Sequence, residues 1–144
     1  MKQLTVKLVL PLTVIAFFVF TKWTCAQVDD APNSLMQGFP LAYTCPGWGS
    51  SMTTQFFVSE FAIDFLIYFL SIFIILYLID RFIMRIKPYK AVSITLFIIA
   101  GLVLCLQILF YNTLETTFYL HRWFSIKEIQ SGYAFFWQNY PNCY

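Results

Sequence analysis

Charge is scarce in this chain. Only 11% of its 144 residues are Asp, Glu, Lys or Arg, and the formal net charge is +2. Soluble domains carry about 25% charged residues. No basic tract exists, so there is no phosphate-binding footprint and nucleic acid is excluded as a partner. His121 is the only histidine, so a zinc site built on two histidines cannot form. Cys-x-x-Cys, His-Glu-x-x-His, Gly-x-Ser-x-Gly and phosphate-cradling glycine loops are all missing. These absences leave no catalytic residue, no metal ligand set and no cofactor to assign. Asn-x-Ser/Thr is missing too, so N-glycosylation lends no support to a eukaryotic surface protein.

Apolar residues are abundant, at 60% of the chain. So small a domain could not hide that much apolar surface from water. The excess calls for lipid. Three apolar stretches carry it. Leu8 to Thr21 is short and contains Pro11, whereas about Phe56 to Ile79 and about Ala91 to Tyr111 are each long enough to span. Crossing a bilayer takes about 20 predominantly apolar residues.

The first stretch has the parts of a secretory signal. Lys2 and Lys7 supply the basic start, and Thr24-Cys25-Ala26 the small residues before a cut at Gln27. An uncleaved anchor, or third span, is the competing reading, with Lys22 snorkelling and Trp23 at the interface. Residues 1–26 are thus a signal peptide or anchor, and 27–144 a single membrane domain. Within it, 27–55 is an outer loop, 56–80 a span, 81–90 a loop, 91–112 a span and 113–144 an outer tail.

Orientation follows from charge. Arg81, Arg85, Lys87 and Lys90 make 81–90 the most basic stretch. Short basic loops stay in the cytoplasm. The two long spans then form an antiparallel hairpin, with 27–55 and 113–144 outside. Pro32, Gly38, Pro40, Pro46, Gly47 and Gly49 predict an irregular outer loop. His121, Ser125 and Glu128 share a helical face, which predicts an interfacial helix in the tail. The expected fold is therefore all-α, with a small irregular or helical cap.

Polar residues interrupt the spans. Glu60, Asp64, Tyr68 and Ser71 recur at helical spacing as one stripe. Asp64 lies about 6 Å deeper than Glu60, at 1.5 Å per residue. Ser93, Ala100, Gln107 and Tyr111 form a stripe on the other span, and Gln107 is the expected hydrogen-bond partner of Asp64. His121 and Arg122 are the tail groups able to neutralise these carboxylates. The stripe serves either helix packing or a cation site.

Four cysteines are present. If Cys25 leaves with a signal, Cys45 and Cys143 are the outer pair, which predicts a disulfide between them. Cys105 reads as a packing residue in the third stretch.

Gly38-Phe39-Pro40-Leu41, followed by a span with Asp64 near its outer end, resembles uncharacterised small bacterial inner-membrane proteins. That resemblance implies a bacterial cytoplasmic membrane and brings no activity with it. The functional expectation is a non-enzymatic membrane protein, an accessory or interaction subunit with a membrane-protein partner or a homo-oligomer. The alternatives are oligomeric ion- or proton-coupled transport through Glu60/Asp64, and membrane thiol–disulfide chemistry.

Overall fold

A computed structural model describes residues 5–28, 33–48, 52–83, 89–135, 138 and 143. Residues 84–88 of the expected cytoplasmic loop lie outside the described residues. The chain divides into two compact units, 1–18 with 65–108 and 19–64 with 109–144.

The first unit is helical. Helix α1 (Leu10–Val19) follows a π-helical turn at Thr5–Val9. Helix α2 (Val58–Leu78) continues into a π-helical turn at Ile79–Ile83, and α3 spans Lys90–Thr113. Inside this unit Phe17 of α1 meets Phe65 and Tyr68 of α2 edge-on, at 5.6 and 5.3 Å. The Thr13 hydroxyl donates back to the Val9 carbonyl at 2.8 Å, which satisfies a buried polar group within the helix. Elsewhere α2 and α3 bury little: Ser93 and Ala100 are the buried positions of α3.

The second unit overturns the all-α expectation. It is a six-stranded sheet, so the protein is a mixed α/β fold. The strands are β1 (Phe20–Val28), β2 (Ser34–Gln37), β3 (Thr44–Pro46), β4 (Thr53–Phe57), β5 (Glu115–Tyr119) and β6 (Ile126–Phe135). Their spatial order is β5-β4-β3-β2-β1-β6. All neighbours are antiparallel except β4 and β5, which run parallel.

In place of the irregular loop expected at 27–55, the described residues hold the end of β1, then β2, β3 and the start of β4. The expected tail helix is β5 and β6. Thr116, Thr117, Phe118 and Tyr119 are β-branched or aromatic, the residue types that fit a pleated surface. Helical spacing of His121, Ser125 and Glu128 misled because β6 meets its partner far away in sequence, with Phe20 opposite Phe135.

Strand β1 lies between β2 and β6. Ala26 and Gln27 sit inside it, so a cut between them would take Phe20–Ala26 out of the sheet. Cys25 would leave as well. It is bonded to Cys143, with Cα atoms 5.5 Å apart. The expected Cys45–Cys143 pairing is therefore corrected: Cys45 is a buried free thiol in β3, next to the core rather than near the C-terminus.

One face of the sheet covers the core. Ala26, Val28, Met36, Ala42, Cys45 and Phe57 are buried there, with Trp48, Phe124 and Ile126 packed against them. Two glycines are required by geometry. Gly38, in the turn from β2 to β3, has φ +146°, and a Cβ there would collide with the Leu41 carbonyl oxygen. A Cβ on Gly132 would meet the Trp23 ring at 2.6 Å, so β6 needs glycine where Trp23 lies across it.

Candidate functional site

Strand β4 passes into α2 without a linker, at Phe57 and Val58. The first turn of a helix leaves amides without partners and favours acidic groups. Ser59 and Glu60 occupy that turn. The Ser59 amide donates to the Leu120 carbonyl at 3.0 Å. The Ser59 hydroxyl lies 2.7 Å from that same carbonyl, 2.7 Å from Glu60 Oε2 and 2.7 Å from His121 Nδ1. Glu60 Oε1 accepts the Arg122 amide at 3.1 Å. The cluster thus clasps the β5–β6 connection to the start of α2.

Proton counting limits its chemistry. A hydroxyl has one proton to give and can accept two. The Leu120 carbonyl can only accept. The Glu60 carboxylate likewise accepts, so the one Ser59 proton is shared between Glu60 Oε2 and the Leu120 carbonyl, and the His121 ring presents its Nδ1 proton to Ser59. Serine, histidine and an acid meet here, but the acid contacts the serine and not the imidazole. A nucleophilic triad needs the acid on the far nitrogen of the histidine and a histidine free to take the serine proton. The wiring is that of a clasp.

Asp64 lies one turn further along α2 and is fully buried. Its Oδ1 accepts the Leu41 amide at 3.0 Å, and Oδ2 has no hydrogen-bond partner among the described residues. The partner is the turn between β2 and β3, where the sequence pointed to Gln107. Gln107 is half-buried on α3. Tyr68 packs on Phe17, and Ser71 is exposed. The stripe Glu60, Asp64, Tyr68, Ser71 is consequently divided among separate tasks. His121 and Arg122 do gather at Glu60, through Ser59 and through the Arg122 backbone.

A cavity of about 220 Å³ lies against the sheet, with Cys45 among its lining residues. Gln37, Thr44 and Thr54 line it from the strands, and Phe110, Tyr111 and Leu114 from the end of α3 and beyond. Phe56 and Tyr111 meet edge-on at 5.6 Å beside it. The lining mixes hydroxyls with aromatic rings and offers no charge.

Burial pushes the Cys45 thiol up to about 11, against the Ser34 hydrogen bond and the Arg122 charge that pull it down. A thiol so placed stays protonated at neutral pH and is a poor nucleophile. Among the described residues no group of three His, Cys, Asp or Glu side chains is placed to hold a metal ion.

The chain matches no family model, no curated protein and no solved structure. Its function has to be argued from its own geometry.

Two participants escaped the sequence reading. For Ser59 the signal is Ser-Glu at the head of an apolar run, which marks a helix start. For Cys25 it is the aromatic and β-branched residues of Phe20–Val28, which suit a strand.

Proposed function

We propose that the protein is a non-enzymatic integral membrane protein. Its two long helices cross the bilayer and its sheet unit is an extracytoplasmic interaction module, serving a membrane-protein partner or further copies of itself. The carrying observation is the surface of α2 and α3. Val58–Ile83 and Lys90–Thr113 have window hydropathies of 2.5 and 2.6, yet only 6% and 11% of those windows are buried. Helices so apolar and so uncovered are suited to lipid.

The basic stretch 81–90 supports a cytoplasmic turn of the hairpin, in a bacterial cytoplasmic membrane. The place of β1 between β2 and β6, and the bridge from Cys25, support retention of the first apolar segment as an anchor. Glu60 and Asp64 each hold a backbone amide. That supports a structural role for both carboxylates over ion coupling. A bridged Cys25 and a buried Cys45 likewise support a non-redox protein.

Extraction of isolated membranes at alkaline pH tests the reading. An integral protein stays in the pellet and leaves only with detergent. Release into the alkaline supernatant would overturn it.

A further inference from the structure

The two ends of the strands differ in chemistry. At one end lie Val28, Ile126, Lys127, Glu128, Thr53 and Glu115, with Gln27 opposite Lys127 and Thr53 opposite Glu115. At the other end lie Phe20 opposite Phe135, Lys22 opposite Tyr133, and Phe56 opposite Phe118. This second end is where α1 runs into β1 and β4 runs into α2.

The apolar groups at this end are uncovered. Phe118 is 68% exposed, Leu120 70% and Tyr133 56%. The aromatic contacts among them form two groups, one on β1 and β6 and one on β4 and β5, at opposite edges of the sheet. Phe20 stacks on Tyr133 at 5.6 Å and meets Phe135 at 5.5 Å, and Phe56 meets Phe118 at 5.5 Å. Lys22 turns away along the strand to Glu128, at 3.4 Å. His121 and Arg122 follow Leu120 directly.

Exposed aromatic rings beside a few cationic groups are the composition of a membrane–water interface. β5 and β6 are the two edge strands. Their outward amides and carbonyls would be unsatisfied in hydrocarbon. That limits the depth to the headgroup layer.

We propose that this end of the sheet, with Val58, Phe118, Leu120, Tyr133 and Phe135, seats in the phospholipid headgroup layer and fixes the height of the sheet on the bilayer. The inference rests on the membrane reading above. It deepens that reading by assigning the surface to lipid, leaving the Lys127/Glu128 end for a protein partner.

The test uses the full chain with Cys45→Ala and Cys105→Ala, which leaves only the bridged Cys25 and Cys143, reconstituted in phosphatidylcholine vesicles. Single cysteines carry an environment-sensitive fluorophore at Leu120→Cys, Tyr133→Cys, Lys127→Cys and Leu106→Cys. Phe118→Cys replaces Leu120→Cys should that variant not fold, with retention of the Cys25–Cys143 bridge as the folding check. Spin-labelled headgroups and brominated acyl chains serve as quenchers. Headgroup quenching several-fold stronger at 120 and 133 than at 127, with acyl-chain quenching at 106, is the expected result. Equal headgroup quenching at 120, 133 and 127 with acyl-chain quenching at 106 would overturn the belt and leave the membrane reading standing. A blue-shifted but unquenched label at 120 would also overturn it, by placing protein, such as a second copy, over the surface. No acyl-chain quenching at 106 would overturn both.

Discussion

The carboxylate of Asp64 accepts the backbone amide of Leu41 at 3.0 Å. Asp64 stands on α2, and Leu41 closes the turn from β2 to β3. An acidic residue that reads as an intramembrane charge is thus a fastener between a helix and a sheet turn.

Removing that fastener is expected to cost stability. Asp64→Ala leaves the Leu41 amide unpartnered and opens a small void, for about 2–3 kcal/mol. Asp64→Asn keeps a carbonyl acceptor in place and should lose clearly less. Thermal unfolding in detergent ranks the two variants. Equal losses for both would mean that the charge itself, and not the acceptor, is what matters.

The turn it holds depends on Gly38. A side chain there is strained at φ +146° and collides with the Leu41 carbonyl. Gly38→Ala is therefore expected to lower stability by about 1–3 kcal/mol. The same unfolding experiment reads it, and a neutral result would show that the turn can adopt another path.

The two long apolar helices were legible in the sequence, and the sheet was not. Residues 56–80 and 91–112 coincide closely with α2 and α3 because a long apolar run declares itself locally. Strand pairing leaves no such local mark here. Phe20 pairs with Phe135, and Thr53 with Glu115. Strand β6 is exposed along Lys127, Glu128, Ile129 and Gln130, so no alternation of apolar and polar residues reveals it. The small residues Thr24, Cys25 and Ala26 fit a cleavage site and a buried strand equally well. Only the third dimension separates the two. Glu60, His121 and Arg122 were legible as candidate partners by charge, but the serine hydroxyl and backbone amide that join them were not.

The disulfide pairing makes a sharp biochemical prediction. Cys25→Ser should free Cys143, whereas Cys45→Ser should leave the bridge intact. Intact mass with and without reductant distinguishes them through the loss or retention of the oxidised form. The bridge spans a sequence separation of 118. Its removal is expected to cost about 2–4 kcal/mol, by releasing a long loop in the unfolded chain. Retention of the bridge in Cys25→Ser would mean that Cys143 pairs elsewhere.

Cys45 ties stability to alkaline pH. Burial favours the neutral thiol and raises the folded value to about 11 from the ordinary 9.0. Below pH 9 both states are protonated and the contribution is fully present. Above it the unfolded chain ionises first, so stability falls as pH rises toward about 11. The full loss is roughly 3 kcal/mol, at about 1.4 kcal/mol per pKa unit. Denaturant titrations from pH 8 to 11 should show this decline, and Cys45→Ala should flatten it. An unchanged slope in Cys45→Ala would assign the decline to other groups.

The membrane hairpin with an external sheet is tested most directly by thiol accessibility in intact cells. A membrane-impermeant maleimide is applied to variants with one free cysteine in a Cys45→Ala/Cys105→Ala background, at Lys127→Cys on β6 and at Arg85→Cys in the basic connection. Labelling of Lys127→Cys in intact cells, with Arg85→Cys labelled only after permeabilisation, is the predicted result. Labelling of Arg85→Cys in intact cells, or protection of Lys127→Cys until the membrane is opened, would contradict it.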